Sequence, residues 1–238
     1  MLKNKIRNTI KLIAFDADDT LWSNEPLFRT AEKKVSSLLS QYGSHEYISS
    51  ELYKIEVKNM EDYGFGAMAF TLSMLETAAK VSGNQLDGKK MEEIIEIGRE
   101  LLHNPAVPLD GVVETLEALK ADGHYRLILL TKGELLTQEN KIRRSGLAPY
   151  FDFIDIVSDK NREEYLKICK KYDTDPTALM MIGNSFKSDI APVLEIGGTG
   201  VHIPAEVLWQ LEHTEEYDHE NLIRIRNLRE LIQICLPD

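Results

Sequence analysis

Cysteine is nearly absent from this chain: 238 residues hold two, Cys169 and Cys235. They form no short-spaced pair, so neither a disulfide framework nor a thiolate metal site is indicated. Both fall in stretches that read as amphipathic helix, where a free thiol behaves as a small buried apolar group. Long apolar runs are missing too. The run from Ile10 to Phe15 follows a short basic segment, Met1 to Asn8, and is too brief for a signal-sequence core or a membrane span. A cytoplasmic protein with no membrane partner is expected. An excess of positive charge is also lacking. Lys and Arg number 28 against 39 Asp and Glu, a formal net charge of -11, which weighs against a nucleic-acid partner because such binding rests on cationic contacts to phosphates. No internal repeat or low-complexity tract is present, and no feature bears on oligomeric state.

What is present is an ordinary globular composition, 43% hydrophobic and 28% charged, which excludes disorder as the main theme. The length exceeds the commonest single-domain size of about 100 to 150 residues, so one domain with a sizeable insertion is expected. Leu12-Ile13-Ala14-Phe15 is a short apolar run that ends abruptly in Asp16-Ala17-Asp18-Asp19-Thr20. That pattern suits a buried parallel strand emptying into a polar loop. Three more runs repeat it: Leu127 to Leu130 before Thr131-Lys132-Gly133, Phe153 to Val157 before Ser158-Asp159-Lys160, and Leu179 to Ile182 before Gly183-Asn184-Ser185. Helical stretches lie between and after them, at 112–120, 134–144, 163–172 and 188–196. Gly200 to Ile203 and Leu222 to Ile225 add two candidate strands, and a closing helix is predicted over 228–235.

Alternating strands and helices predict an α/β fold, a Rossmann-like parallel sheet with helices on both faces. In such open sheets ligands bind beyond the carboxyl ends of the strands, where the four polar loops would gather. Asn24 to Asn104 breaks the alternation with several helices, spaced by Ala31, Val35, Leu38 and Leu39 and by Phe70, Leu72, Met74 and Leu75. The expected organisation is therefore a core of residues 1–23 and 105–238 with an all-helical insertion at 24–104, the return marked by Pro105 and Pro108. Tyr63, Phe65, Met68 and Phe70 of the insertion are expected to pack as helix core.

Asp16 and Asp18 stand two apart directly after a strand. Both can reach one metal, one by its side chain and the other by its backbone carbonyl, and oxygen ligands of this kind suit Mg²⁺. A carboxylate can also attack phosphorus, dividing one hard hydrolysis into two displacements, while a second carboxyl handles the protons. By itself, such a loop is equally a solvated turn or a helix cap.

Phe15-Asp16-Ala17-Asp18-Asp19-Thr20-Leu21 resembles the first signature of the haloacid dehalogenase superfamily, and the remaining signatures follow in order at strand ends. The resemblance touches most of the core, and the insertion is similar to the family's helical cap. It implies that Asp16 is nucleophile and metal ligand, Asp18 the general acid/base, and Thr20 a supporting loop residue. Thr131 matches the second motif, whose hydroxyl binds phosphoryl oxygens. The amides of Lys132 and Gly133 would complete a small anion nest. Lys160 matches the third, a lysine that offsets charge on nucleophile and phosphoryl group. Gly183-Asn184-Ser185-Phe186-Lys187-Ser188-Asp189 resembles the fourth, which usually offers two acidic positions. Here Asp189 remains as a metal ligand and Asn184 replaces the first acid with an amide. Ser185 and Ser188 are also placed to cap a helix.

The implied activity is Mg²⁺-dependent hydrolysis of a small phosphate ester through an aspartyl phosphate. An acidic chain repels such esters at long range, so a metal and lysines must hold the substrate locally. Dehalogenases of the superfamily generally lack an acid two residues after the nucleophile, so Asp18 favours phosphoryl transfer over a 2-haloacid dehalogenase. Asn184 alone points to the other alternative, a weakly active or inactive binding protein. Trp22, Asn24 and Glu25 either line the hinge or entrance or simply pack. Gly197-Gly198-Thr199-Gly200 reads as a turn, because it follows a helix and precedes a strand, the reverse of the dinucleotide fingerprint. Glu212, His213, Glu215, Glu216, Asp218, His219 and Glu220 read as a solvated charged loop.

Overall fold

The computed structural model describes residues 2–237; Met1 and Asp238, the two ends of the expected core range, lie outside the described residues. Contacts divide the chain into two compact units. The first comprises residues 1–23, 106–132 and 142–238, the second residues 24–105 and 133–141. Residues 133–141, grouped with the sheet by the alternation of strands and helices, thus associate with the helical insertion.

In the first unit, helix α1 (Leu2–Thr9) precedes strand β1 (Leu12–Phe15). The basic opening segment gave no sign of this helix. Its Ile6 side chain and the following Ile10 are buried and Arg7 pairs with Asp122 at 2.9 Å, tertiary support that a helix this short requires. In the second unit come α2 (Glu25–Leu38), α3 (His45–Tyr63), α4 (Ala67–Val81) and α5 (Gly88–Leu102). The first unit resumes with α6 (Val112–Asp122) and β2 (Arg126–Lys132), and α7 (Leu135–Ser145) follows. Then come β3 (Phe153–Val157), α8 (Arg162–Lys171), β4 (Leu179–Gly183), α9 (Ala191–Glu195), β5 (Thr199–His202), β6 (Leu222–Arg224) and α10 (Glu230–Cys235).

All six strands are parallel, in the order β3-β2-β1-β4-β5-β6. Successive residues of a strand point to opposite faces, and here both faces are covered. Ile13, Phe15, Leu127, Leu129, Met180 and Ile182 share one core with Leu116, Leu119 and Leu231. Leu12, Ala14, Ile128, Leu130, Leu179 and Met181 share the other with Tyr165, Ile168 and Cys169 of α8. Burial on both faces is why the central strands read as unbroken apolar runs. The chain starts at the sheet centre, builds outward through β2 and β3, and reverses through β4, β5 and β6. The reversal point, where an open sheet leaves a crevice, falls between β1 and β4.

The helix expected over 188–196 is two pieces: a π-helical turn, Phe186–Ile190, runs into α9. Pro192 in the first turn of α9 supplies no amide proton, which prevents one continuous ladder. Such π-turns occur mostly where function demands an unusual backbone. Gly197 and Gly198 form the expected turn, but Thr199 and Gly200 already belong to β5. Cys169 and Cys235 are both buried and free.

The helical unit has its own core, including Val35, Leu39, Ile48, Leu52, Phe70, Met74 and Ile94. Gly98 lets α5 approach α4 closely: a Cβ there would stand 2.2 Å from Thr71 Oγ1. Tyr63 and Met68 depart from the expected packing, at 56% and 51% exposure. Tyr63 ends α3, and Met68 lies on the side of α4 away from Phe70 and Met74. Among the described residues no helix is long and apolar enough to cross a membrane.

Candidate active site

The crevice between β1 and β4 receives Asp16 from one strand end and the loop 184–189 from the other. Asp16 extends the parallel ladder by one step, its amide donating to Ile182 O at 2.9 Å. The chain then folds back. Asp19 adopts φ +62°, a conformation that Asp tolerates better than most residues. Its amide donates to Trp22 O at 2.7 Å. This turn brings the fully buried Trp22 under the loop, where its indole Nε1 donates to Asp18 Oδ1 at 2.7 Å. Trp22 is therefore neither entrance nor mere packing: it fixes the carboxyl that the family resemblance names as acid/base.

Thr20 ties the two strand ends together. Its hydroxyl oxygen lies 2.9 Å from Asp16 Oδ2 and 3.2 Å from Asn184 Oδ1, sharing its proton between them, and accepts from the Asn184 amide at 3.1 Å. Lys160, three residues beyond β3, closes the set from the other side. Its buried ammonium donates to Asp16 Oδ1 at 2.5 Å and to Asp189 Oδ1 at 2.8 Å. The other oxygen of Asp189 accepts from the Ser185 amide at 3.0 Å. Asp189 can come this close only because residue 183 is glycine. A Cβ there would stand 2.2 Å from Asp189 Oδ2.

The electrostatics follow from burial and from an unequal count of charges. Burial pushes the Asp16 carboxyl up to about 7; Lys160 opposes this, while Asp189 and Asp18 add to it. Burial alone would lower the Lys160 ammonium, but Asp16 and Asp189 outweigh it and hold it above the ordinary lysine range. Three carboxylates act on this centre against one ammonium.

The Lys132 side chain and Glu212 lie where the sequence did not lead. The Lys132 ammonium pairs with Glu212 and donates to Ser188 Oγ at 3.0 Å. Glu212 is 8% exposed and accepts from the hydroxyls of Ser185 and Ser188, which corrects its assignment to a solvated loop. Its neighbour His213 is exposed as expected. No local pattern marks Glu212, because its burial is set by Lys132, 80 residues away. Ser185 does cap the π-turn, accepting from the Ser188 amide at 2.9 Å. Thr131 is buried at the end of β2, and Gly133 groups with the helical unit. The four residues Asp16, Lys160, Asn184 and Asp189 thus form one hydrogen-bonded set with Thr20, and Asp18 joins it through its loop.

Whether a cation suits the site can be judged from its donors. They are oxygens throughout, carboxylates of Asp16 and Asp189 and the amide of Asn184, the hard ligands that Mg²⁺ prefers. The surplus negative charge is of the sign a divalent cation offsets. Among the described residues no three Asp, Glu, His or Cys side chains form a ready cage. A cation here would lean on the neutral Asn184 and on backbone carbonyls as well as on carboxylates. The residues fit such an ion.

Known proteins share sequence and fold with this chain. The model of the haloacid dehalogenase-like hydrolases matches residues 10–197. A glyceraldehyde 3-phosphate phosphatase of Methanocaldococcus jannaschii is 27% identical over 239 residues, covering 94% of this chain and 96% of the relative. An N-acylneuraminate-9-phosphatase of Mus musculus is 26% identical over 199 residues, 79% of each chain. The crystal structure of a haloacid dehalogenase-like family hydrolase from Xanthomonas campestris superposes with a TM-score of 0.84 at 35% identity, covering 94% of this chain and 91% of that one. With the family model spanning strands β1 to β4, and with the buried Asp16, Lys160 and Asp189 beyond its strand ends, this chain belongs to the haloacid dehalogenase-like hydrolases.

Proposed function

We propose that this hydrolase is a phosphatase of small phosphorylated metabolites that works through an aspartyl phosphate on Asp16. The observation that carries this reading is Lys160. A single buried ammonium bridges Asp16 and Asp189, 2.5 and 2.8 Å away, at the sheet's reversal point. Phosphatases among the relatives, named for glyceraldehyde 3-phosphate and N-acylneuraminate-9-phosphate, support a small phosphate ester as substrate. A reducing, cytoplasmic setting agrees with the two free thiols, and the net charge of -11 weighs against a nucleic-acid partner.

In the first displacement a carboxylate oxygen of Asp16 attacks phosphorus, the ester P–O bond breaks, and Asp18 gives its proton to the departing alcohol oxygen. In the second, Asp18 takes a proton from water, which attacks the same phosphorus and releases inorganic phosphate with Asp16 restored. Trp22 holds Asp18 Oδ1 through both steps. The Thr131 hydroxyl and the amides of Lys132 and Gly133 bind phosphoryl oxygens, and Lys160 offsets the negative charge that accumulates. Asp16, Asp189, Asn184 and the Asp18 carbonyl would hold Mg²⁺, which would supply further positive charge when bound. Residues 24–104 serve as a cap that excludes bulk water and contributes substrate contacts.

The test is Mg²⁺-dependent release of phosphate from an aryl phosphate and from a panel of metabolite esters, beside Asp16→Asn. The variant is expected to lose turnover by on the order of 10⁴-fold or more. Equal residual activity in the variant would sink the mechanism. Halide release without metal would instead favour a dehalogenase.

A further inference from the structure

Glu212 is remote in sequence from every motif, on a 3-10 turn (Gln210–Glu212) beyond β5, yet its carboxylate sits among the motif loops. Oε1 pairs with Lys132 Nζ, and Oε2 accepts from Ser188 Oγ at 2.6 Å and from Ser185 Oγ. Lys132 Nζ donates to Ser188 Oγ at 3.0 Å, so the four side chains form a closed network. Burial would raise the Glu212 carboxyl, but the Lys132 charge and the hydrogen bonds from Lys132, Ser185 and Ser188 reverse this and hold it below the ordinary glutamate range. It is ionised in the folded protein at neutral pH.

What this network joins gives it meaning. Lys132 directly follows Thr131 at the end of β2. Ser185 and Ser188 lie between Asn184 and Asp189. One carboxylate therefore ties the strand end that would hold the phosphoryl group to the loop that bears Asp189. The network also has an electrostatic effect. Lys132 is a second ammonium on these loops, and its pairing with Glu212 leaves Lys160 to act on Asp16 and Asp189. Freed of Glu212, Lys132 would be a partly buried cation without its carboxylate partner, on the same loops as Asp16 and Asp189.

We infer that Glu212 is a positioning residue, a clamp that holds Lys132 and the loop 184–189 in register so that Lys160 alone balances Asp16 and Asp189. The inference rests on the phosphatase reading above, and its test separates the two. Glu212→Gln keeps the shape and removes the charge. Its kcat/KM on an aryl phosphate should fall about 10- to 100-fold, the scale of a small misplacement in a catalytic site. Adding Lys132→Met removes the stray cation, so the double variant should recover kcat/KM several-fold over Glu212→Gln, as members of one contacting network do. Glu212→Asp, which keeps the charge, should retain more activity than Glu212→Gln. Wild-type kinetics in Glu212→Gln would overturn the inference, as would a double variant no better than Glu212→Gln or an aspartate variant below it.

Hydrogen exchange on the substrate-free proteins supplies a readout independent of turnover. Exchange in segments 130–132 and 184–189 should speed together in Glu212→Gln, and unchanged exchange there overturns the clamp whatever the substrate. Should the exchange result hold while the wild-type chain releases no phosphate from any ester, the phosphatase reading fails alone.

Discussion

The sheet unit and the helical unit both bury polar side chains, but they satisfy them over very different distances in the chain. In the helical unit Ser73 Oγ donates to Ala69 O and Thr77 Oγ1 to Ser73 O, each four residues back. Asn59 donates to Ser73 and Glu76 on the next helix. In the sheet unit Lys160 reaches Asp16 across 144 residues and Asp189 across 29, and Lys132 reaches Glu212 across 80. Pairing within a helix or with its neighbour costs folding little and specifies helices. Burial of charges that only the finished fold can bring together lowers stability unless each is paired, and its return is chemistry.

The contrast is tested most severely at Lys160. Lys160→Met leaves Asp16 and Asp189 buried without their cation, which should cost about 3 to 5 kcal/mol of stability and about 10²- to 10³-fold in kcat. Urea unfolding and steady-state kinetics measure the two losses. A variant that lost activity while keeping full stability would show that the carboxylates find another partner, and the sheet unit would then resemble the helical one.

A titration sharpens the same point. The Asp16 carboxyl sits at about 7 in the folded chain against an ordinary 3.8, so between those values the folded state binds more protons than the unfolded one. Stability contributed by this group therefore falls as pH rises through that window and is level above it. Glu212 has the opposite sign: held below its ordinary 4.5, it contributes stability above that pH and loses it on acidification. From about pH 4 to about pH 8 the melting temperature of metal-free wild type should fall relative to that of Asp16→Asn, because Glu212 is common to both and only the wild type carries the Asp16 slope. Parallel curves would show that burial does not govern Asp16.

These same distances decided what could be read from the chain before folding. β1, β2 and β4 were legible because strands covered on both faces are apolar throughout, and the candidate site residues because motifs of the resembled family lie at or just beyond strand ends. Lys160 illustrates the gain: one lysine among many, singled out by its place after Phe153–Val157 together with its match to the family's third motif. Glu212 shows the limit. It sits in an acidic stretch with no periodicity, and nothing nearby in sequence records that Lys132 and two serines will desolvate it. The α1 helix and the π-turn at Phe186–Ile190 escaped for a related reason, since both depend on contacts from elsewhere in the fold. In the helical insertion, apolar spacing located the helices but misassigned Tyr63 and Met68, because a helix end and an outward face carry apolar residues too.

Helix α4 allows the mildest test, within one element. Phe70, Met74 and Ala78 lie on its buried face, at successive four-residue steps, while Met68 and Leu72, also four apart, are exposed. Met74→Ala should cost about 2 to 5 kcal/mol, because deleting a fully buried side chain removes its transfer energy and leaves a cavity. Leu72→Gln, two residues away and 44% exposed, should change stability by no more than about 0.5 kcal/mol, as surface substitutions do. Chemical denaturation of both variants measures the difference. Equal losses would mean that the outward face of α4 is covered in solution, by a second copy of the chain for instance, and a concentration-dependent melting temperature would then confirm that cover. In that case Met68 and Leu72 would be core residues of an assembly, and the apolar spacing in the insertion would have recorded a second interface.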